Sequence, residues 1–125
     1  LTHDPRFVTP VEDYSMECAR AAMRTLLDSG QQIDGIFAIT DVVAQGALSA
    51  LGERGLRVPE DVQIVGFDDL EIDEFMTPGL TSVNPNHELL ASTAVQLLTR
   101  RIAGATSAAV HAIIPVSLTV RGSTR

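Results

Sequence analysis

Two pairs of polar side chains stand where this sequence could do chemistry. Thr40-Asp41 closes the apolar run Ile36-Phe37-Ala38-Ile39, and Asp68-Asp69 closes the run Val62 to Phe67. Runs this short, bounded by polar residues, suit strands buried in a parallel sheet, and open α/β sheets bind their ligands just beyond the carboxyl ends of such strands. An ionised carboxylate there accepts two hydrogen bonds, which fits a polyol or a heterocycle bearing N–H groups. Asp41 has a second role open to it, as the N-cap of the following helix. No regular helix follows Asp68 directly, so its carboxylate is the freer of the two. Tyr14, the one tyrosine, precedes the first helix at the same edge, where its face could stack on a sugar or a base or simply pack against the helix start. Asn84, after a third apolar segment, either reaches the same crevice or caps the next helix.

Other chemistries find no support in the residues. Asp68, Asp69, Glu71, Asp73 and Glu74 lack the glycine and spacing of a calcium loop and read as a solvated acidic surface. His3, His87 and His111 have no partners at zinc-ligand spacing, and no cofactor motif occurs. The sequence contains no Gly-x-Ser-x-Gly elbow, phosphate-cradling glycine loop or His-Glu-x-x-His. A phospho-acceptor pocket built on the strand-end acids would call for a lysine, and there is none. An enzyme is therefore not expected, although an acidic crevice with Asp68 as its base is the form one would take.

These candidates need a scaffold, and the periodicity supplies one. Met16, Ala19, Met23, Leu26 and Leu27 mark an amphipathic helix over Ser15 to Asp28, with Cys18 read as a small buried residue on it. A second helix, about Val42 to Arg54, buries Val43, Ala44, Ala47, Leu48 and Leu51, and Gly55 offers the left-handed residue that stops it. Strand, helix, strand makes a right-handed βαβ unit, which the preceding helix extends into an open parallel sheet flanked by helices. Leu80 to Val83 is the third strand. Asn84-Pro85 announces a helix running to about Arg101, with Leu90, Ala94, Leu97, Leu98 and Ile102 as its buried stripe. Val110 to Val120 alternates like a half-buried strand, with Pro115 at an edge or a kink.

The 125 residues suffice for one compact unit with one core. The net charge is −7, and the nine basic residues, all arginine, are scattered, so a phosphate-binding surface is not expected within this chain. A lone cysteine gives no sign of an oxidising compartment, and no apolar run approaches the roughly 20 residues of a membrane span. The first residues carry neither a cationic leader nor an apolar targeting core, and the abrupt opening reads as a fragment of a longer protein.

The stretch from Ala38 to Val83 resembles the lactose/galactose repressor (LacI/GalR) family. The resemblance is carried by Ala38-Ile39-Thr40-Asp41, Ala44-Gln45-Gly46-Ala47-Leu48, Gly55-Leu56-Arg57-Val58-Pro59-Glu60-Asp61-Val62, Ile64-Val65-Gly66-Phe67-Asp68-Asp69 and Pro78-Gly79-Leu80-Thr81-Ser82-Val83. The ending Pro115 to Thr124 resembles the family's closing strand, so nearly the whole chain is covered. Where the family often has Asn, this chain has Thr40, and Ala91 stands where Gly is common.

The resemblance implies a lobe of the type I periplasmic-binding-protein-like fold, with residues 1–125 the C-terminal part of an effector-binding domain. Asp68 would bind effector hydroxyls or N–H groups, Tyr14 would stack on the effector and Thr40 would add a polar contact. The effector would be a sugar, or a purine-like or nucleoside molecule. The helix over residues 86–103 would pack on the absent N-terminal lobe. The helix beginning at Val42 and the segment after Asp69 would form a homodimer. Operator DNA would be contacted only through a helix-turn-helix domain outside this chain, in a cytoplasmic repressor. Coupling of effector to operator of the usual size, about 1–3 kcal/mol, changes operator affinity roughly 5- to 150-fold. The rival implied by the same fold is a solute-binding protein of a sugar transport system.

Overall fold

The computed structural model describes residues 4–125. Helix α1 (Met16–Asp28) starts where Ser15 accepts a hydrogen bond from the Cys18 amide at 3.2 Å, and it buries Ala19 and Met23. Cys18 itself is half-buried, because it lies beside rather than on the buried face. Strand β1 (Gly35–Phe37) leads through Thr40 into helix α2 (Asp41–Glu53), and strand β2 (Gln63–Phe67) follows. After a 3-10 turn at Glu71–Phe75 come strand β3 (Thr81–Asn84), helix α3 (His87–Ile102) and strand β4 (Ser117–Thr119).

The sheet runs β1-β2-β3-β4. Its first three strands are parallel, as the βαβ reading requires, and β4 returns antiparallel beside β3, so the sheet is mixed rather than wholly parallel. The alternation from Val110 to Val120 yields only three residues of strand. Val110, Ile113 and Val116 stay exposed, since no described surface covers them, and Pro115 has no amide to give a ladder. β1 is also less buried than a central strand: Phe37 is 67% exposed, and the strand pairs on one side only among the described residues.

The core lies between α1, α2 and the sheet, with Leu51, Ile64, Leu80 and Val62 fully enclosed and Met23, Ala38, Ala44, Ala47 and Ala50 around them. Each buried large aliphatic side chain contributes about 1.5–3 kcal/mol. Gly46 lets the two helices touch: a Cβ there would stand 2.3 Å from the Met16 carbonyl oxygen and 2.7 Å from the Ala19 Cβ. The chain end is sewn into the sheet by Ser123. Its hydroxyl donates to the Ile64 carbonyl at 2.7 Å and accepts from the Thr81 amide at 2.8 Å, while its amide donates to the Gly79 carbonyl at 2.9 Å.

Helix α3 departs from its expected packing. No residue in it is buried, and Leu90, Leu98 and Ile102 of its predicted stripe are 47%, 60% and 78% exposed. The periodicity identifies the helix correctly, but the stripe stays largely uncovered, with Leu97 alone half-buried beside the loop of residues 105–110.

Candidate functional site

Register brings the strand-end residues together. Phe37 pairs with Val65, and Phe67 with Val83, so Thr40 and Asp68, just past β1 and β2, and Asn84, the last residue of β3, emerge at one edge, the carboxyl ends of three neighbouring parallel strands. Of the three, only Asp68 presents a carboxylate without a hydrogen-bond partner among the described residues. Its main chain is fixed, the amide donating to the Val83 carbonyl at 3.0 Å and the carbonyl meeting His87 Nε2 at 2.9 Å. Burial, then the charge of Asp41, raises the Asp68 pKa above the usual carboxylate value, while His87 opposes the rise. An oriented, partly desolvated carboxylate of this kind gains most from a ligand that brings its own donors.

The remaining candidates are committed differently. Thr40, not Asp41, is the N-cap of α2: its Oγ1 accepts from the Val43 amide at 3.2 Å. Asp41 is fully buried and presents no surface to a ligand, which corrects its assignment as a site residue. Its carboxylate reaches under the sheet edge, accepting from Ser82 Oγ at 2.6 Å and from the Leu70 amide at 3.1 Å. Gly66 makes room for it, since a Cβ at that position would lie 2.0 Å from Asp41 Oδ1. Asn84 does not cap α3 either. The cap is Asn86, in the left-handed region, whose side chain accepts from the Leu89 amide at 3.3 Å. Asn84 instead donates to Asp69 Oδ2 at 2.9 Å and accepts from the Asn86 amide at 2.7 Å.

Tyr14 is 62% exposed and lines an apolar groove of about 510 Å³ with Phe7, Phe37 and Ile39. That lining includes neither Thr40 nor Asp68, so Tyr14 stands beside the polar edge rather than in one pocket with it. His3 lies outside the described residues. His111 is exposed, and no group of three metal-ligating side chains occurs among the described residues.

Two features escape a reading by sequence. Asp69 is the centre of a polar cluster: Oδ1 accepts from Arg121 Nη2 at 2.7 Å, and Oδ2 from Thr119 Oγ1 at 2.8 Å as well as from Asn84. Burial alone would raise its pKa, but the hydrogen bonds from Thr119, Asn84 and Arg121 and the Arg121 charge outweigh burial and hold it below the ordinary value. The second is Asp73, fully buried on the 3-10 turn, with no donor among the described residues reaching either carboxylate oxygen. Burial, then its contact with the Asp41 carboxylate, pushes its pKa up to about 7. Asp41 has two donors and Asp73 none, and the neighbouring Asp41 carboxylate adds to burial in favouring the protonated form of Asp73. The acidic stretch 68–74 is thus only partly the solvated surface expected of it. The doubled Asp68-Asp69 and the late Arg121 are visible in the sequence, but nothing linear joins residues fifty positions apart.

A model of the periplasmic binding protein-like domain matches residues 2–124. The HTH-type transcriptional regulator CelR of Thermobifida fusca is 40% identical over 111 residues, which are 89% of this chain and 33% of that one. The HTH-type transcriptional repressor CytR of Escherichia coli (strain K12) is 36% identical over 123 residues, 98% of this chain and 36% of that one. This chain therefore spans about a third of the length of these curated relatives. Among solved structures, the CelR–cellobiose complex superposes with a TM-score of 0.91 at 38% identity, over 98% of this chain and 37% of that one. The lac repressor dimer bound to operator and an anti-inducer gives 0.82 at 31% identity, over 90% and 39%.

Proposed function

This chain belongs to the periplasmic binding protein-like domain family, in the form that LacI-type regulators use to bind effectors, and from that premise we propose that it is the sensing part of a sugar-responsive transcriptional repressor. The observation that carries the proposal is the Asp68 carboxylate: oriented by its main chain, partly desolvated, without a partner among the described residues, and set at the carboxyl edge of a parallel sheet. A sugar hydroxyl pair would give it the donors it lacks. Purine-like and nucleoside effectors, which also carry N–H or O–H donors, form the second ligand class.

The rest of the reading concerns the whole protein. Its operator-binding helix-turn-helix domain lies outside residues 1–125, and the protein works in the cytoplasm, where its DNA is. No described helix is long and apolar enough to cross a membrane. The exposed face of α3, with Leu90, Leu98 and Ile102, packs on the N-terminal lobe that completes the cleft. The exposed Ile72 and Phe75, beyond Asp69, belong to the homodimer contact. That the similar full-length proteins are regulators favours this reading over a solute receptor for transport, and over an enzyme.

The test is calorimetric titration of the whole protein with cellobiose, lactose, ribose, cytidine and hypoxanthine, repeated with Asp68→Asn. At least one compound should bind, and the substitution should weaken it by roughly tenfold or more, as loss of a charge-assisted hydrogen bond predicts, without a change in melting temperature. Binding that is indifferent to Asp68→Asn would remove this residue, and with it the basis of the proposal.

A further inference from the structure

Asp68 and Asp69 are consecutive non-glycine residues at φ 125° and φ 53°, a region that L-residues seldom enter. Backbone strain of this kind persists only where the surroundings over-determine it. Here the surroundings can be named. The Asp69 amide donates to Ser82 Oγ at 3.0 Å, and its carboxylate takes donors from Asn84, Thr119 and Arg121. Arg121 is itself anchored, its Nη1 donating to the Leu80 carbonyl and its amide to Thr81 Oγ1, each at 2.8 Å. Three chain segments, β3, β4 and the tail after β4, thus converge on the residue next to the unpartnered Asp68 carboxylate.

We propose that Thr119, Arg121 and Asn84 are positioning residues of the ligand site, clasping Asp69 so that the kinked backbone aims the Asp68 carboxylate into the cleft. This rests on the effector-binding reading of Asp68 given above. Stabilisation alone is a poor account of the cluster. A largely buried ion pair such as Asp69–Arg121, with side chains 10% and 18% exposed, is often no more stabilising than apolar residues of the same volume. What the cluster does that apolar packing could not is fix direction, because three donors on one carboxylate leave it a single orientation. Asn84, read from the sequence as either a ligand contact or a helix cap, acts through Asp69 instead, and Thr119 and Arg121 bring the last strand into the site.

The experiment uses the whole protein and three variants, Thr119→Val, Thr119→Ser and Asp69→Asn. Thr119→Val keeps shape and removes one of the three donors, leaving Arg121 and Asn84 in place, so it decides the matter if Asp69→Asn fails to fold. The first readout needs no ligand: the carboxyl carbon of Asp68 is followed by NMR across its titration. Loosening the clasp in Thr119→Val should turn Asp68 towards water and return its titration midpoint towards the ordinary carboxylate range, and Thr119→Ser should restore the wild-type curve. The second readout is the dissociation constant for the compounds of the panel above, expected to rise roughly fivefold in Thr119→Val and to recover in Thr119→Ser. An Asp68 titration identical in wild type and Thr119→Val overturns the clasp. A shifted Asp68 titration together with ligand binding that ignores Asp68→Asn sustains the clasp and overturns the effector-binding reading instead.

Discussion

Replacing Asp73 by Asn tests the buried acid pair under the sheet edge. Asp73 titrates at about 7 in the folded chain, because burial and the neighbouring Asp41 carboxylate both oppose its ionisation, whereas an unfolded Asp titrates near 4. The folded state therefore binds the proton more tightly than the unfolded one. Stability from this group is fully present below about pH 4 and is lost as the pH rises through about 7. Between pH 5 and pH 8 the two titrations together remove about 2–3 kcal/mol. The side-chain amide introduced by Asp73→Asn would carry a permanent N–H donor towards Asp41 and no titratable proton, so the variant escapes this loss. Asp69, whose lowered pKa works in the opposite direction, is present in both proteins and cancels in the difference.

The assay is urea unfolding of wild type and Asp73→Asn at pH 5, 6, 7 and 8. The variant should match or fall slightly below wild type at pH 5 and exceed it at pH 8, a relative gain of about 2–3 kcal/mol, or on the order of 10 °C in melting temperature. Two stability curves running parallel across this range would mean that Asp73 holds no proton for Asp41, and the geometry of the pair would have been misread.

Two further substitutions address the scaffold. Gly46→Ala should cost about 2–3 kcal/mol or more, since the new methyl would stand 2.3 Å from the Met16 carbonyl oxygen and must drive α1 and α2 apart; a melting temperature within a degree or two of wild type would show that the helices are not held this closely. Thr40→Val should cost about 1 kcal/mol through loss of the α2 cap, and Thr40→Ser should cost almost nothing, as thermal unfolding of both would show. Equal losses in the two variants would place the importance of Thr40 elsewhere than in its hydroxyl.

Local order was legible in the sequence wherever it depends on neighbours along the chain. The periods of α1, α2 and α3 and the short apolar runs of β1, β2 and β3 located those elements to within a few residues. The Ile64-Val65-Gly66-Phe67-Asp68-Asp69 block carried the family, and with it the lobe. Asp68 could be singled out because a carboxylate at the end of a buried parallel strand needs no further partner to be noticed. Decisions that turn on distance in space were not legible. Thr40 rather than Asp41 caps α2, because Asp41 finds better donors in Ser82 and Leu70, and Asn86 rather than Asn84 caps α3, because Asp69 holds Asn84. Whether the α3 stripe is covered depends on what packs against it, which periodicity cannot encode. Asp73 looked like one more acid on a solvated surface until the fold closed over it and set it against Asp41. Hydrophobic period and capping chemistry act over a few residues and can be read along the chain. The partners of a buried charge come from strands dozens of residues apart, and only the packed sheet decides which of them it meets.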